Sequence, residues 1–402
     1  MSVAIRRCAD AGELQRAVLV IGQYFGAEPG GELAARFGLL LPPERMHAAF
    51  DGDLIVGGAG AFGFDLSVPG GSVACAGTTV VGVAPTHRRQ GVMRAMLRAH
   101  LDDAHERGDP IAALWASEET IYGRFGYGIA SWVGELNVPH EWDAFAEPLE
   151  ASGTTRFVTP EEAHELFPPI YEAVRRERPG MMSRSDAWWE SRQLRMPEQE
   201  AEAPRRFVVL ELDGEPAAYA IYRTHFGFDG GSASSRLVVR EALGASPQAT
   251  AAIWRFLLDV DWMSVVEVPL GPPDHPLFLL LAAPRRARYR MGDGLWVRLV
   301  DVPAALSGRT YGEGEPLVLE VRDAVCEWND GRWKLEGGEC SRTDEAPDLA
   351  LDVSALGSAY LGAVPFAQLR EALRVEELRE GAIARADGLF ARRPLPWCLE
   401  IF

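Results

Sequence analysis

One order of predicted elements occurs twice along the 402-residue chain, and this repeat constrains the fold more than any other feature. In the first copy, an Asp-Gly-Asp turn at residues 51–53 leads to strands at 54–64 and 73–83, followed by a helix and a short strand at 111–116. Alternating apolar residues and glycine turns indicate these strands. The second copy has strands at 207–212, 217–222, 237–239 and 264–268, with a helix at 251–258. The copies share this order and not their residues, which predicts a duplicated domain.

A third region begins at about residue 296. Its predicted strands lie at 317–321 and 349–351, a hairpin turn at 329–331 lies between them, and helices follow toward residue 402. Strands that are grouped apart from helices are typical of an α+β fold. Because the chain is too long for one hydrophobic core, we predict an α+β protein of three domains, at residues 1–150, 151–295 and 296–402.

The segment VVGVAPTHRRQGVMRAML, residues 80–97, joins a predicted strand to a predicted helix through a basic turn. Apolar residues recur at helical spacing after Gly91, which is typical of an amphipathic helix packed on a sheet. The N–H groups and the positive dipole end of a helix N-terminus favour an anion, and Arg88 and Arg89 add charged donors. The turn is therefore either a phosphate-binding loop or a glycine turn with two solvated arginines. The matching segment of the second copy, GASPQATAAIWRFL, has no arginine pair and no glycine at the start of its helix.

Composition excludes several classes of protein. The chain has 58 acidic and 40 basic residues and a net charge of −18, which argues against non-specific nucleic-acid binding and favours cationic partners. Five scattered cysteines without a CxxC pair predict neither a disulfide framework nor a zinc site, and the histidines show no metal-ligand spacing. No apolar run is long enough for a membrane span and no signal peptide is visible, so we expect a cytoplasmic protein.

The basic turn resembles the acetyl-CoA pyrophosphate loop of the GNAT acetyltransferases, whose pattern is Q/R-x-x-G-x-G/A. Arg88, Gly91 and Met93 stand at its three fixed places, so the final small residue is absent. Three separate motifs, VAPTHRRQGVMRAML, ASEETIYGRFGYG and DGLWVRLVDVPAAL, resemble the enhanced intracellular survival (Eis) family. This resemblance implies tandem GNAT-like domains with mixed sheets flanked by helices, the second without a cofactor site. It also implies a C-terminal α/β domain similar to sterol carrier proteins.

The resemblance implies an acetyl-CoA site in the first copy. We expect no metal, because the histidines lack metal-ligand spacing. The backbone of Val81, Gly82 and Val83 would lie along the acetyl group and the pantetheine arm. Ser117 and Glu118, at the end of the next strand, would line the other side of the cofactor. The residues that would hold the phosphates are Arg88, Arg89, Gln90, Gly91, Val92, Met93 and Arg94.

Two catalytic groups are implied by the same resemblance. Tyr122 would be the general acid, because a phenol with a pKa of about 10 is protonated at neutral pH and can donate to a thiolate. Residue chemistry alone leaves Tyr127 as an alternative. The terminal carboxylate of Phe402 would deprotonate the substrate amine through water, although residue chemistry alone equally allows an apolar terminus packed in a core. No activated cysteine or serine is apparent, so direct transfer in a ternary complex is expected.

We therefore expect an acetyl-CoA-dependent N-acetyltransferase that acts on primary amines of aminoglycosides or similar polyamines. A protein-lysine acetyltransferase, a lipid or sterol carrier and a non-catalytic scaffold are the alternatives. Tyr24, Phe25 and Glu28 are candidate walls of the amine pocket, or ordinary surface and core residues. The resemblance implies a homo-oligomer, a hexamer.

Overall fold

The computed structural model describes residues 3–24, 37–149, 153–195 and 203–402. The chain forms two compact units. The first unit comprises residues 1–131, 295–393 and 400–402, and the second comprises residues 132–294 and 394–399.

A seven-stranded mixed sheet forms the centre of the first unit. Its strands are β1 (Ala4–Arg7), β2 (Met46–Asp51), β3 (Leu54–Val68), β4 (Gly71–Val83), β5 (Ile111–Trp115), β6 (Gly128–Ile129) and β16 (Leu295–Leu299). They lie in the order β1-β2-β3-β4-β5-β16-β6, in which only β4 and β5 are parallel neighbours. The Asp-Gly-Asp turn joins β2 to β3, as the sequence predicts.

Helices α1 (Ala11–Tyr24) and α2 (Val92–Arg107) cover opposite faces of this sheet. Successive strand residues point to opposite faces, and a Cβ atom at Gly57 would lie 3.2 Å from Met96 of α2, whereas one at Gly58 would lie 2.9 Å from Ile21 of α1. Leu14, Ala17, Val18 and Ile21 form a buried apolar face of α1, and the predicted apolar face of α2 is also buried. A short helix, α3 (Glu119–Tyr122), follows β5.

The second unit contains a sheet with the same plan. Its strands are β7 (Trp132–Pro139), β8 (Thr154–Phe157), β9 (Arg206–Leu212), β10 (Glu215–His225), β13 (Ser235–Gly244), β14 (Met263–Gly271) and β15 (Arg288–Asp293). They lie in the order β15-β7-β14-β13-β10-β9-β8, and β13 and β14 are the parallel pair that corresponds to β4 and β5. A small hairpin pairs β11 (Phe228–Asp229) with β12 (Ser232–Ala233). The helices are α4 (Pro160–Glu177), α5 (Asp186–Trp188), α6 (Pro247–Leu258) and α7 (Leu277–Leu280).

The C-terminal region of the first unit has a five-stranded sheet in the order β19-β18-β17-β20-β21. Its strands are β17 (Leu317–Arg322), β18 (Gly331–Glu336), β19 (Glu339–Arg342), β20 (Leu349–Asp352) and β21 (Val375–Glu377), and its helices are α8 (Val302–Ser307), α9 (Val353–Ala359), α10 (Phe366–Glu371) and α11 (Ala382–Phe390). Every residue of α9 is buried, and Gly357 packs against the backbone of Val297 in β16. A buried ion pair between Arg298 and Asp323, 2.7 Å long, also joins this region to β16.

Strand pairing crosses the boundaries drawn from the sequence at two points. β7 falls within the predicted domain 1–150, but it pairs with β14 and β15 of the second sheet. β16, at the predicted boundary of 295 and 296, pairs with β5 and β6 of the first sheet. Local sequence patterns indicate where the elements lie, but they do not indicate which distant strands pair with each other. The sheets therefore do not follow those boundaries.

Candidate active site

The parallel strands β4 and β5 separate toward their carboxyl ends. Their pairing ends at Gly77 and Ala113, although β4 continues to Val83. The register of β4 with β3 shifts beyond Thr79, and Val80 has a φ of 45°, a strained conformation for a β-branched residue. The bulge and the separation leave one edge of β4 without strand pairing from β5. Backbone N–H and C=O groups along this edge can therefore bind an extended ligand.

Val81, Gly82 and Val83 lie along this edge. Gly82 and Val83 are buried and Val81 is half-buried. Ser117 and Glu118 are exposed, directly after β5, and Glu118 precedes the first residue of α3. The structure therefore brings both predicted groups to the same end of the sheet, one on each of the two separating strands.

The loop between β4 and α2 leads into a helix N-terminus without a side-chain cap. Gly91 is the residue before α2, and its φ of 82° lies in the left-handed region that favours glycine. No side chain among the described residues caps α2 at this end, and a Cβ atom at Gly91 would have no atom within 4 Å. His87 holds the loop to the end of β2 through Asp51, with 3.2 Å between Nε2 and the carboxylate. This arrangement suits a pyrophosphate.

The predicted phosphate-binding residues divide between the surface and the core. Val92 is buried, and Met93 is half-buried against the core between α2 and the sheet. The methionine at the place of the usual small residue is accommodated by this apolar packing. The exposed members are Arg88, Arg89, Gln90, Gly91 and Arg94.

The two candidate acids, Tyr122 and Tyr127, are both buried, and their rings meet edge to face with 6.0 Å between centroids. The Tyr127 hydroxyl lies 2.8 Å from Oγ1 of Thr78, which also lies 2.8 Å from Nε2 of His100. Burial raises the pKa of Tyr127 well above the usual value for a phenol. Burial lowers the pKa of His100 to about 3, so its ring is neutral at physiological pH. Thr78 and His100, which sequence reasoning missed, thus hold Tyr127 in a neutral network beside Tyr122.

Phe402, the last residue of the sequence, packs on the first sheet. Its ring centroid lies 5.2 Å from that of Phe64 and 6.3 Å from that of Phe62. A Cβ atom at Gly77 would clash with the Phe64 ring and lie 3.3 Å from the Phe402 ring, so this glycine leaves room for both rings. Because Gly77 is the last residue of β4 that pairs with β5, Phe402 lies where the two strands begin to separate.

The corresponding place in the second unit is built differently. Helix α6 begins with Pro247, which has no N–H group, and the Ser246 side chain accepts from the N–H group of Ala249 at 3.1 Å. Trp397 reaches the end of β14 and donates from Nε1 to the carbonyl of Leu270 at 3.0 Å. Pro247 therefore offers no donor and the Ala249 N–H group is already bonded, so this helix N-terminus offers a phosphate fewer donors than that of α2.

The amine-pocket candidates, a metal site and a membrane span remain to be compared with the structure. Of the candidate amine-pocket residues, Phe25 and Glu28 lie outside the described residues, and Tyr24 ends α1. Within the described ranges, no cluster of three or more His, Cys, Asp or Glu residues is placed to hold a metal ion. No helix in that part of the chain is long and apolar enough to cross a membrane.

Family models match the chain in three segments. A model described as an acetyltransferase (GNAT) domain matches residues 5–130, and a second model with the same description matches residues 180–299. A sterol carrier protein domain matches residues 302–399. The predicted α+β architecture, with two GNAT domains and a C-terminal sterol-carrier-like domain, is thereby confirmed.

Relatives and a solved structure match the chain over most of their length. An uncharacterized N-acetyltransferase of Streptomyces avermitilis is 39% identical over 386 residues, 94% of each chain. N-acetyltransferase Eis of Mycobacterium bovis is 35% identical over 381 residues, 90% of each chain. The crystal structure of Eis1 from Mycobacterium abscessus covers 100% of both chains with a TM-score of 0.88 and 32% identity. The chain belongs to the Eis family of GNAT N-acetyltransferases.

Proposed function

We propose that the chain transfers the acetyl group of acetyl-CoA to a primary amine of an aminoglycoside or a similar polyamine. The observation that carries this proposal is the open edge of β4 beside the uncapped, arginine-flanked start of α2. A nucleotide cofactor with an extended arm and a pyrophosphate has the two features that these elements would bind. The net charge of −18 favours cationic amines over anionic acceptors.

In this proposal only the first GNAT domain binds acetyl-CoA. The exposed residues from Arg88 to Arg94 bind the phosphates, while the backbone of Val81 to Val83 holds the pantetheine arm and the thioester carbonyl. Ser117 and Glu118 line the other side. In the second domain, the Ser246 cap and Pro247 at the start of α6 leave no comparable phosphate site.

The proposed transfer is direct. The carboxylate of Phe402 accepts a proton from the substrate ammonium through water, and the neutral nitrogen attacks the thioester carbonyl. The C–N bond forms, the C–S bond breaks, and the leaving thiolate takes the proton of the Tyr122 hydroxyl. The nitrogen of the new amide then gives its second proton to the Tyr122 oxygen, which restores the phenol. A terminal carboxylate with a pKa of about 3.5 is a weak base, so its orientation supplies most of its effect. The position of the Phe402 ring beside Gly77 supports this role.

A lipid carrier needs an apolar space inside the C-terminal region. The apolar helix of this region, α9, is fully buried, and Gly357 within it packs against β16 of the first sheet. This packing favours a structural role for its apolar face.

We also propose that the chain is cytoplasmic and forms a homohexamer. Sedimentation equilibrium of the purified chain would test the number of subunits.

The test is release of coenzyme A thiol from acetyl-CoA with neomycin as a multi-amine acceptor, followed by mass spectrometry of the neomycin. We expect steady release and acetylated neomycin, with little release when the acceptor is omitted. Acetylated lysine peptide without acetylated neomycin would favour the protein-lysine alternative. No release with any amine would overturn the proposal.

A further inference from the structure

A cavity of about 550 Å³ lies within the second unit, where β13 and β14 separate. The pairing of these strands ends at Val238 and Glu267, and the cavity continues between the strand ends, α4, α6 and the segment that contains Trp397. Roughly 300–1,000 Å³ is usual for a small-molecule pocket. Aliphatic and aromatic side chains form most of the wall, among them Val174, Leu243, Ala251, Trp254, Leu270 and Trp397.

His275 brings a hydrogen-bond donor to this apolar wall. Its ring is 3% exposed and packs edge to face on Trp254 with 4.7 Å between centroids. Its Nδ1 accepts from the N–H group of Leu277 at 3.2 Å, so in the neutral ring the proton is on Nε2. No acceptor for Nε2 is present among residues 3–24, 37–149, 153–195 and 203–402. Nε2 is therefore open to the cavity that His275 lines, where a ligand oxygen can accept a hydrogen bond from it.

The charges around the cavity argue against an anionic ligand. Arg178 pairs with Asp274 at 2.8 Å, and Glu241 accepts two hydrogen bonds from the buried Arg184. The remaining charged residues that line the cavity are Glu177 and Arg240. Acidic residues therefore outnumber basic ones at the wall, and the basic ones are not available as a carboxylate site.

We propose that the second unit binds an uncharged aliphatic carbonyl compound, such as an acyl ester or amide, whose chain fills the cavity and whose carbonyl oxygen accepts a hydrogen bond from Nε2 of His275. This binding is independent of the proposed acetyl transfer, because it uses no residue of the first unit. An acyl chain suits the apolar wall, and its carbonyl oxygen suits the Nε2 donor of His275. The cap at the start of α6 makes a phosphate-bearing ligand a poor fit.

Isothermal titration calorimetry of the full chain with methyl octanoate tests this inference, with octanoate and n-octane as comparison ligands. We expect methyl octanoate to bind at least tenfold more tightly than either. His275→Phe keeps the ring contact with Trp254 but removes the donor, and should weaken binding of the ester about tenfold, the value of one hydrogen bond of about 1.4 kcal/mol. Ala251→Phe should fill the cavity and abolish binding.

Gln248→Leu is the matched control, because Gln248 is exposed on the same helix and does not line the cavity. This variant should bind the ester as the wild type does. Absence of ester binding to the wild type would overturn the proposal, and so would unchanged binding by Ala251→Phe, which would place the ester elsewhere. If His275→Phe fails to fold, the comparison of ester with octane on the wild type still tests the carbonyl contact. Equal affinity for the two would refute it.

Discussion

The position of each tyrosine hydroxyl determines which one can serve the leaving thiolate. Tyr127 is 1% exposed, and its hydroxyl is held by Thr78 within the sheet–helix core. Tyr122 ends the short helix that follows β5, one of the two strands that separate. Proton donation in the proposed mechanism therefore belongs to Tyr122, while Tyr127 positions it through the contact of their rings.

Tyr122→Phe should lower kcat about 100-fold, the lower range for loss of a general acid, while the KM for acetyl-CoA changes little. Tyr127→Phe is the matched variant, since it removes a hydroxyl from the neighbouring ring. It should lower the free energy of unfolding by about 1 kcal/mol and change kcat less than tenfold. Steady-state kinetics and urea unfolding measure both effects. A larger loss of kcat in Tyr127→Phe would reverse the two assignments.

The sequence predicts the residues of the phosphate loop but not the contacts around Tyr127 and Phe402. Arg88 and Gly91 are neighbours in a local pattern, so a strand, a turn and a helix suffice to place them. The Thr78–His100–Tyr127 network joins a strand, a helix and a loop, and no spacing in the sequence indicates it. The contact of Phe402 with Gly77 likewise depends on tertiary structure, and only the family resemblance suggested a role for Phe402.

Helix α2 has a glycine in the left-handed conformation at each end. Gly91 precedes it with a φ of 82°, and Gly108 follows it with a φ of 77°. A Cβ atom at either position would have no atom within 4 Å, so the cost of alanine is mainly backbone strain and is similar at both. Only Gly91 adjoins the proposed phosphate site.

Gly91→Ala should raise the KM for acetyl-CoA about tenfold, because the Cβ atom and the altered backbone hinder approach of the phosphates to the N–H groups. Each substitution should lower the free energy of unfolding by about 1 kcal/mol, but Gly108→Ala should leave the KM for acetyl-CoA unchanged. Initial rates at varied acetyl-CoA and thermal unfolding distinguish the two. An equal rise of KM in both variants would mean that strain in α2, and not phosphate contact, is responsible.

Elements are predicted well where local residues specify them. The capping box of α4 is one case. Thr159 accepts from the N–H group of Glu162, and the Glu162 side chain accepts from the N–H group of Thr159, so four consecutive residues specify this helix start. The predicted strand at 237–239 is too short, since β13 extends from Ser235 to Gly244. The later residues of this strand do not alternate between apolar and polar types, because Arg240 and Glu241 are consecutive charged residues. Glu241 is nevertheless buried, and Arg184 balances its charge.

For the molecule as a whole, the pairing of β7 changes which fragments can fold. β7 lies between β14 and β15, so a fragment of residues 151–295 loses an interior strand of its sheet. A fragment of residues 132–294 keeps all seven strands. We expect the longer fragment to unfold cooperatively in urea and the shorter one to show little cooperative change by circular dichroism. Equal cooperativity would mean that β7 contributes little to the second unit.

Three buried histidines, His47, His100 and His275, should make the stability depend on pH, because burial lowers the pKa of each. Burial lowers the pKa of His100 and of His275 to about 3, whereas an unfolded histidine has a pKa of about 6.5. Between these values the unfolded chain binds protons that the folded chain does not, so the free energy of unfolding falls as the pH drops below about 6.5. The expected slope is up to about 1.4 kcal/mol per pH unit for each histidine.

Urea unfolding at about pH 6.5 and pH 5, above the main range of carboxyl titration, measures this slope. His100→Gln removes one titrating group and keeps a polar side chain beside Thr78. Its stability should therefore depend on pH less steeply than that of the wild type. The same slope in both chains would contradict a neutral His100 in the folded state.

The most direct test of the account is thiol release with acetyl-CoA and neomycin by three chains: the wild type, a chain that lacks Phe402, and Phe402→Leu. The leucine variant keeps a carboxylate at position 402, whereas the deletion moves it back by one residue. We predict that the deletion lowers kcat at least 100-fold and that the leucine variant keeps most of the activity. Equal activity of all three chains would remove this carboxylate from the mechanism.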